Sequence, residues 1–144
     1  MGRQLAKPYI RKVDALQIPV PDLEAGLAFY RDRLGHELIW RTPTAAGLRM
    51  PDTDAELVLQ TERPELEVNL LVESAGAAAT AIVEAGGSIV VPVFDIQIGK
   101  CVVVHDPWGN RLVLLDVSKG SLVTDADGNV TGTAPAESRG SCSV

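Results

Sequence analysis

Two stretches of this chain repeat one plan. Val13–Gly35 (VDALQIPVPDLEAGLAFYRDRLG) and Glu65–Gly87 (ELEVNLLVESAGAAATAIVEAGG) each open on an alternating strand, enter a helix at a capping signal and stop on glycine. Matched positions lie fifty-two residues apart. A repeat of this period predicts a duplicated βα module rather than one irregular domain. It also places a site in the cup where two related sheets meet.

In the first copy Leu16, Ile18 and Val20 form one face of a strand, while Ala15 and Gln17 point the other way. Asp22 is the expected N-cap of a helix striped by Leu23, Leu27, Tyr30 and Leu34, with Gly35 closing it. Strands over 36–42, 47–50 and 56–61 follow, separated by Pro, Gly and Asp turn signals. In the second copy Val68, Leu70 and Val72 face the helix, and Glu67, Asn69 and Leu71 face away. Ser74 caps a helix striped by Ala75, Ala79 and Ile82. Strands over 88–91, 99–105 and 111–116 complete it, the last two joined by Asp106-Pro-Trp-Gly-Asn110. The reading is an α+β fold of two tandem βαβββ modules forming a cup-shaped mixed sheet. The helices are expected to bury Leu27, Tyr30, Leu34, Ala79 and Ile82. The modules span 13–62 and 65–117, after a basic lead-in over 1–12. A hairpin extension occupies 118–133, and 134–144 is expected to be a disordered tail.

Composition narrows the function classes. At 144 residues with 46% apolar side chains and mean hydropathy +0.13, the chain is long enough for one well-buried domain. A net charge of −6 excludes the basic face that nucleic acid requires. No apolar run reaches the ~20 residues that cross a bilayer, so no membrane partner is expected and the expected location is the cytoplasm. Cys101 and Cys142 are expected to be reduced thiols. Asp125, Asp127 and Asn129 around Gly128 mimic the start of a calcium loop, but its twelfth-position glutamate and its flanking helices are missing. The stretch 122–131 is expected to be a short hairpin turning at Asp127-Gly128-Asn129.

IPVPDLEAGLAFYRDRLGHEL (18–38) and VVVHDPWGNRLVLLD (102–116) resemble the vicinal oxygen chelate superfamily, which includes glyoxalases, bleomycin-resistance proteins and extradiol dioxygenases. The resemblance covers roughly 13–119. It implies a cup built from paired modules, commonly within a homodimer, and the 122–131 hairpin is expected to reach toward a partner chain. It also implies where metal-dependent relatives place ligands: on Ala15, on Val58 or Gln60, on Glu67 and on Val113. Most of that set cannot ligate a first-row divalent ion, which wants three or more N/O donors. His36 and His105 fall on unmatched positions. No metal and no cofactor are therefore expected.

What remains facing the cup is polar: Gln17, Gln60, Glu67 and Asn69, with Glu56 and Arg111 at the rim and Trp40 and Trp108 as stacking walls. Unpaired, such groups cost about 1–3 kcal/mol each, so they must bond one another, water or a ligand. Three function classes stay open. One is a metal-free cup that binds or sequesters a small organic ligand, with Glu67 meeting a cation or a donor. Another is metal-independent acid–base catalysis with Glu67 as the base. The third is an atypical metal site using Glu67 with His36 or His105.

Overall fold

The structure is a computed structural model and describes residues 8–135. The first module comprises strand β1 (Ile10–Pro19), helix α1 (Leu23–Leu27, continuing as a π-helix over Ala28–Arg33), β2 (Leu38–Arg41), β3 (Ala45–Met50) and β4 (Thr53–Gln60). The second repeats it with β5 (Glu67–Val72), α2 (Ala75–Glu84), β6 (Ser88–Ile96), β7 (Gly99–His105) and β8 (Arg111–Leu115). A separate hairpin, β9 (Ser121–Thr124) and β10 (Val130–Ala134), follows. The first strand begins at Ile10, inside the expected lead-in. The tail expected over 134–144 falls almost wholly outside the described residues.

One eight-stranded mixed sheet holds both modules in the order β2-β3-β4-β1-β5-β8-β7-β6. Within each module the first and last strands run parallel, β1 with β4 and β5 with β8. The modules join where β1 meets β5 antiparallel, with Ala15 opposite Asn69 and Gln17 opposite Glu67. These two pairs exchange under the fifty-two-residue offset, so a local twofold axis passes between them. The cup is closed within one chain.

Each helix covers the outer face of its own half-sheet. Leu23 and Leu27 of α1 pack on Ala46, Leu48 and Leu59. Ala75, Ala78 and Ala79 of α2 pack on Val72, Val102, Val104 and Leu114, with Ile82 half-buried beside them. Both expected caps form: Asp22 Oδ1 accepts from the Ala25 N–H at 2.8 Å and Ser74 Oγ from that of Ala77 at 3.1 Å.

The first helix departs from its expected stripe. Leu27 is fully buried, Tyr30 is half-buried, and Leu34 is 53% exposed. The cause is the π-helical stretch, in which the Leu34 N–H donates to the carbonyl of Phe29, five residues back. The wider coil turns less per residue and carries Leu34 off the sheet-facing side.

Candidate functional site

The concave face of the sheet encloses a cavity of about 870 Å³. Its module-two wall is hydrocarbon, made by Val103, Val113 and Leu115 with Ile96 and Ile98 and the thiol of Cys101. Burial, then the nearby Glu67 charge, push that thiol up to about 11, so it is unreactive. The C-terminal hairpin forms the roof, contributing Leu122, Thr124 and Val130 to the lining. It is anchored on both modules. The Arg41 N–H at the β2 edge donates to the Gly128 carbonyl at 2.7 Å, and Gln97 Nε2 near the β6–β7 turn donates to Thr133 Oγ1 at 2.8 Å. The hairpin thus lies across its own cup. Asp125, the would-be calcium ligand, organises the hairpin turn by accepting the N–H groups of Asp127 and Asn129 at 2.9 Å each.

On the floor, Gln17 and Asn69, equivalent positions in the two modules, meet across the local axis. Gln17 Nε2 donates to Asn69 Oδ1 at 2.7 Å, and Asn69 Nδ2 donates to Glu67 Oε2 at 3.0 Å. Arg63, in the β4–β5 connection, donates from Nη2 to Gln17 Oε1 at 2.7 Å. Its Nε lies 3.6 Å from Glu67 Oε1, the same oxygen that Arg111 Nη1 reaches at 3.2 Å. The result is a closed ring, Arg63–Gln17–Asn69–Glu67, with Arg111 attached. Such a network fixes every member's rotamer. Glu67, with a side chain only 10% exposed, has both oxygens engaged. Glu67→Gln is expected to cost about 1–2 kcal/mol by urea unfolding, because it leaves Arg111 without its carboxylate and Arg63 with Glu62 alone, 3.6 Å from Nη1, discounted for their partial exposure.

The opposite end of the floor is acidic. A bulge in β1 between Val13 and Ala15 turns Asp14 onto the cup face. Burial pushes its carboxyl above the ordinary carboxylate range, Lys12 opposing and Asp54 adding to the effect. Glu56, beside Ala15 on β4, is likewise raised by burial and by Asp14, against the hydrogen bond it accepts from Trp40 Nε1 at 2.7 Å. The indole lies over Gly47, where any Cβ would overlap it.

Of the residues expected at the site, Gln17, Trp40, Glu56, Gln60, Glu67, Asn69 and Arg111 all line the cavity. Trp108 does not; it is 83% exposed in the Asp106–Asn110 turn, where Asp106 binds the backbone N–H groups of Trp108 and Asn110. Gln60 is 2% exposed and holds the β4–β5 connection, accepting from the Glu62 and Arg63 N–H groups at 2.8 Å and donating to the Arg63 carbonyl at 2.9 Å. It is a loop clasp. Neither His36, bonded to the Arg49 carbonyl at 2.9 Å, nor His105 lines the cavity. Sequence reasoning missed Arg63, Asp14 and the roof.

The strand register resolves the position left open on β4. Val58 lies beside Gln17 as Val113 lies beside Asn69, so Val58 is the counterpart of Val113. The four positions at which the resemblance implies metal ligands are therefore Ala15, Val58, Glu67 and Val113, one carboxylate and three hydrocarbon side chains. That donor set does not fit a first-row metal ion. Among the described residues no three His, Cys, Asp or Glu side chains converge to hold one, and no helix is long and apolar enough to cross a membrane.

The fold is shared with solved structures. Methylmalonyl-CoA epimerase from Mycobacterium tuberculosis superposes with a TM-score of 0.66 at 20% identity, over 78% of this chain and 92% of that one. An extradiol ring-cleaving dioxygenase from B. fuscum gives 0.58 at 23% identity, over 76% of this chain and 33% of that one. A superfamily member from Vibrio splendidus 12B01 gives 0.58 at 18% identity, over 74% and 98%. No curated protein sequence matches the chain. The family model of the Glyoxalase/Bleomycin resistance protein/Dioxygenase superfamily matches residues 12–114, the duplicated modules that build the cup, and the chain belongs to that superfamily.

Proposed function

We propose that this protein binds a small organic molecule in the cup, beneath the C-terminal hairpin and without a metal ion. The carrying observation is the cavity itself: about 870 Å³, with one hydrocarbon wall and a floor of hydrogen-bonded polar groups. Volume and lining both match the sites that take small organic ligands. Glu67 serves as the anchor of the floor network rather than as a base or a cation partner, since its oxygens already receive Asn69 and Arg111 and lie against Arg63. Binding, or sequestration, is the activity these residues perform.

One observation favours a second reading. Asp14 and Glu56 are half-buried carboxyls with raised pKa values on the cavity wall, as a metal-independent acid–base pair requires. Under that reading turnover has an acid limb that Glu56→Gln removes.

Val113 stands in the hydrocarbon wall, and Val113→Trp places an indole in the cavity. N-phenyl-1-naphthylamine, a neutral apolar fluorophore, is expected to bind the native chain saturably, and the substitution is expected to weaken it by about tenfold or more. Equal binding to both proteins would remove the cup as the site.

A further inference from the structure

We infer that the cup's occupant carries an oxyanion, of carboxylate type, which seats on Arg63 and Arg111 while its apolar body lies along the module-two wall under the hairpin. This rests on the reading of the cup as a binding site.

Three observations converge on it. Two guanidinium groups converge on the same Glu67 oxygen, at 3.6 and 3.2 Å, with Glu62 Oε1 a further 3.6 Å partner of Arg63 Nη1, so two arginine forks are gathered at this end of the floor. Arg111 gives only Nη1 to Glu67, leaving most of its five N–H donors for an acceptor in the cavity it lines. Arg63 Nε is, among the described residues, the one buried side-chain nitrogen or oxygen with no hydrogen-bond partner. Buried donors are nearly always satisfied, so this one marks a site whose network is completed by a further acceptor and a small shift of the guanidinium. Arginine forks match planar oxyanions geometrically, and Gln17, Asn69 and Glu67 hold both forks in place beforehand.

The local twofold gives the ligand a direction. Continuing the β5–β8 register sets Arg111 beside Glu67, just as Glu56 sits beside Ala15. Equivalent positions of the two modules thus carry opposite charges. An anion is accepted at the Arg63–Arg111 end and repelled at the Asp14–Glu56 end. The guanidinium groups keep their charge across the working pH range, so the Arg63–Arg111 end stays the cationic one. Leu122 and Val130 of the roof line the same cavity as the hydrocarbon wall, which suits an apolar body there.

The test is displacement of N-phenyl-1-naphthylamine from the full chain by decanoate and by decyltrimethylammonium, which carry alkyl chains of equal length and opposite charge. Decanoate is expected to displace the reporter at a concentration lower by about tenfold or more. Arg111→Gln is expected to erase that preference. Arg111→Lys keeps the charge without the fork and is expected to retain part of it, and circular dichroism checks that both variants stay folded. Equal displacement by the two amphiphiles, a preference for the ammonium, or a preference for decanoate that survives both Arg111→Gln and Arg63→Gln would each overturn the anion assignment. If Val113→Trp leaves reporter binding unchanged, the cup reading fails instead, and the two failures are distinguishable.

Discussion

Asp116→Ala is expected to destabilise the chain by about 3–5 kcal/mol and to lower Tm by roughly 10–15 °C. Asp116 follows β8 and is 3% exposed. Its Oδ2 accepts the N–H of Ala75, the first residue of α2, at 2.8 Å, and its Oδ1 accepts the N–H groups of Lys100 at 2.9 Å and Ser118 at 3.1 Å. The Ser118 hydroxyl adds a fourth bond at 2.7 Å. One carboxylate therefore ties α2, β7 and the segment leading to the hairpin to the end of β8. Truncation leaves these donors in a place that water reaches poorly, because Ala75 is fully buried and Gly99 packs against Asp116 too closely for any Cβ.

The same group sets a pH signature. Burial alone raises the Asp116 carboxyl, but the four donated bonds outweigh it and hold the group below its ordinary value of 3.8. A depressed folded pKa contributes stability that is present above 3.8 and is lost as pH falls through the folded value. Asp14 and Glu56 act with the opposite sign: their raised values penalise the folded state at neutral pH, and that penalty is relieved on acidification. Asp116→Asn should flatten the acid limb of the stability profile, and Glu56→Gln should raise stability at neutral pH relative to pH 4. Stability measured by urea unfolding across this range checks both slopes.

Leu27→Ala is expected to cost about 3 kcal/mol, the scale of deleting a fully buried leucine, while Leu34→Ala stays within about 0.5 kcal/mol. In a continuous α-helix both residues would face the sheet. Comparable losses for the two would mean that the π-helical stretch over Ala28–Arg33 does not form. Urea midpoints of the two variants decide it.

That contrast marks how far the sequence was legible. Alternation and helical spacing located both modules because each element buries one face, and burial is what periodicity records. The caps at Asp22 and Ser74 and the glycine turn at Gly109 were legible for a local reason: they satisfy their own backbone. A change from α to π coil has no composition of its own, so Leu34 was misplaced. The bulge at Asp14 was hidden likewise, since strict alternation puts that residue on the outer face with Leu16.

The candidate site was half legible. Gln17, Glu67 and Asn69 announced themselves as polar positions on a face that closes against another sheet. Arg63 lies in a connection without periodicity, and its place over the floor depends on Gln60 clasping the loop, a tertiary fact that made a ligand candidate into a structural residue. Trp108 suggests a wall because tryptophan is so often one, yet the hydrogen-bonded turn at Asp106 presents it to solvent. The roof was recognised as a hairpin but not located, because nothing in 122–131 encodes the distant anchors at Arg41 and Gln97.

Native mass spectrometry of the full chain, purified without chelator, weighs metal and organic adducts in one spectrum. With Ala15, Val58 and Val113 at three of the four positions where metal-dependent relatives carry ligands, the expected spectrum holds the polypeptide and a one-to-one organic adduct. That adduct is lost in Val113→Trp, and no species has the added mass of zinc, nickel, cobalt, manganese or iron. A near-stoichiometric metal adduct that disappears in Glu67→Ala would contradict the metal-free cup and restore a metal centre on its floor.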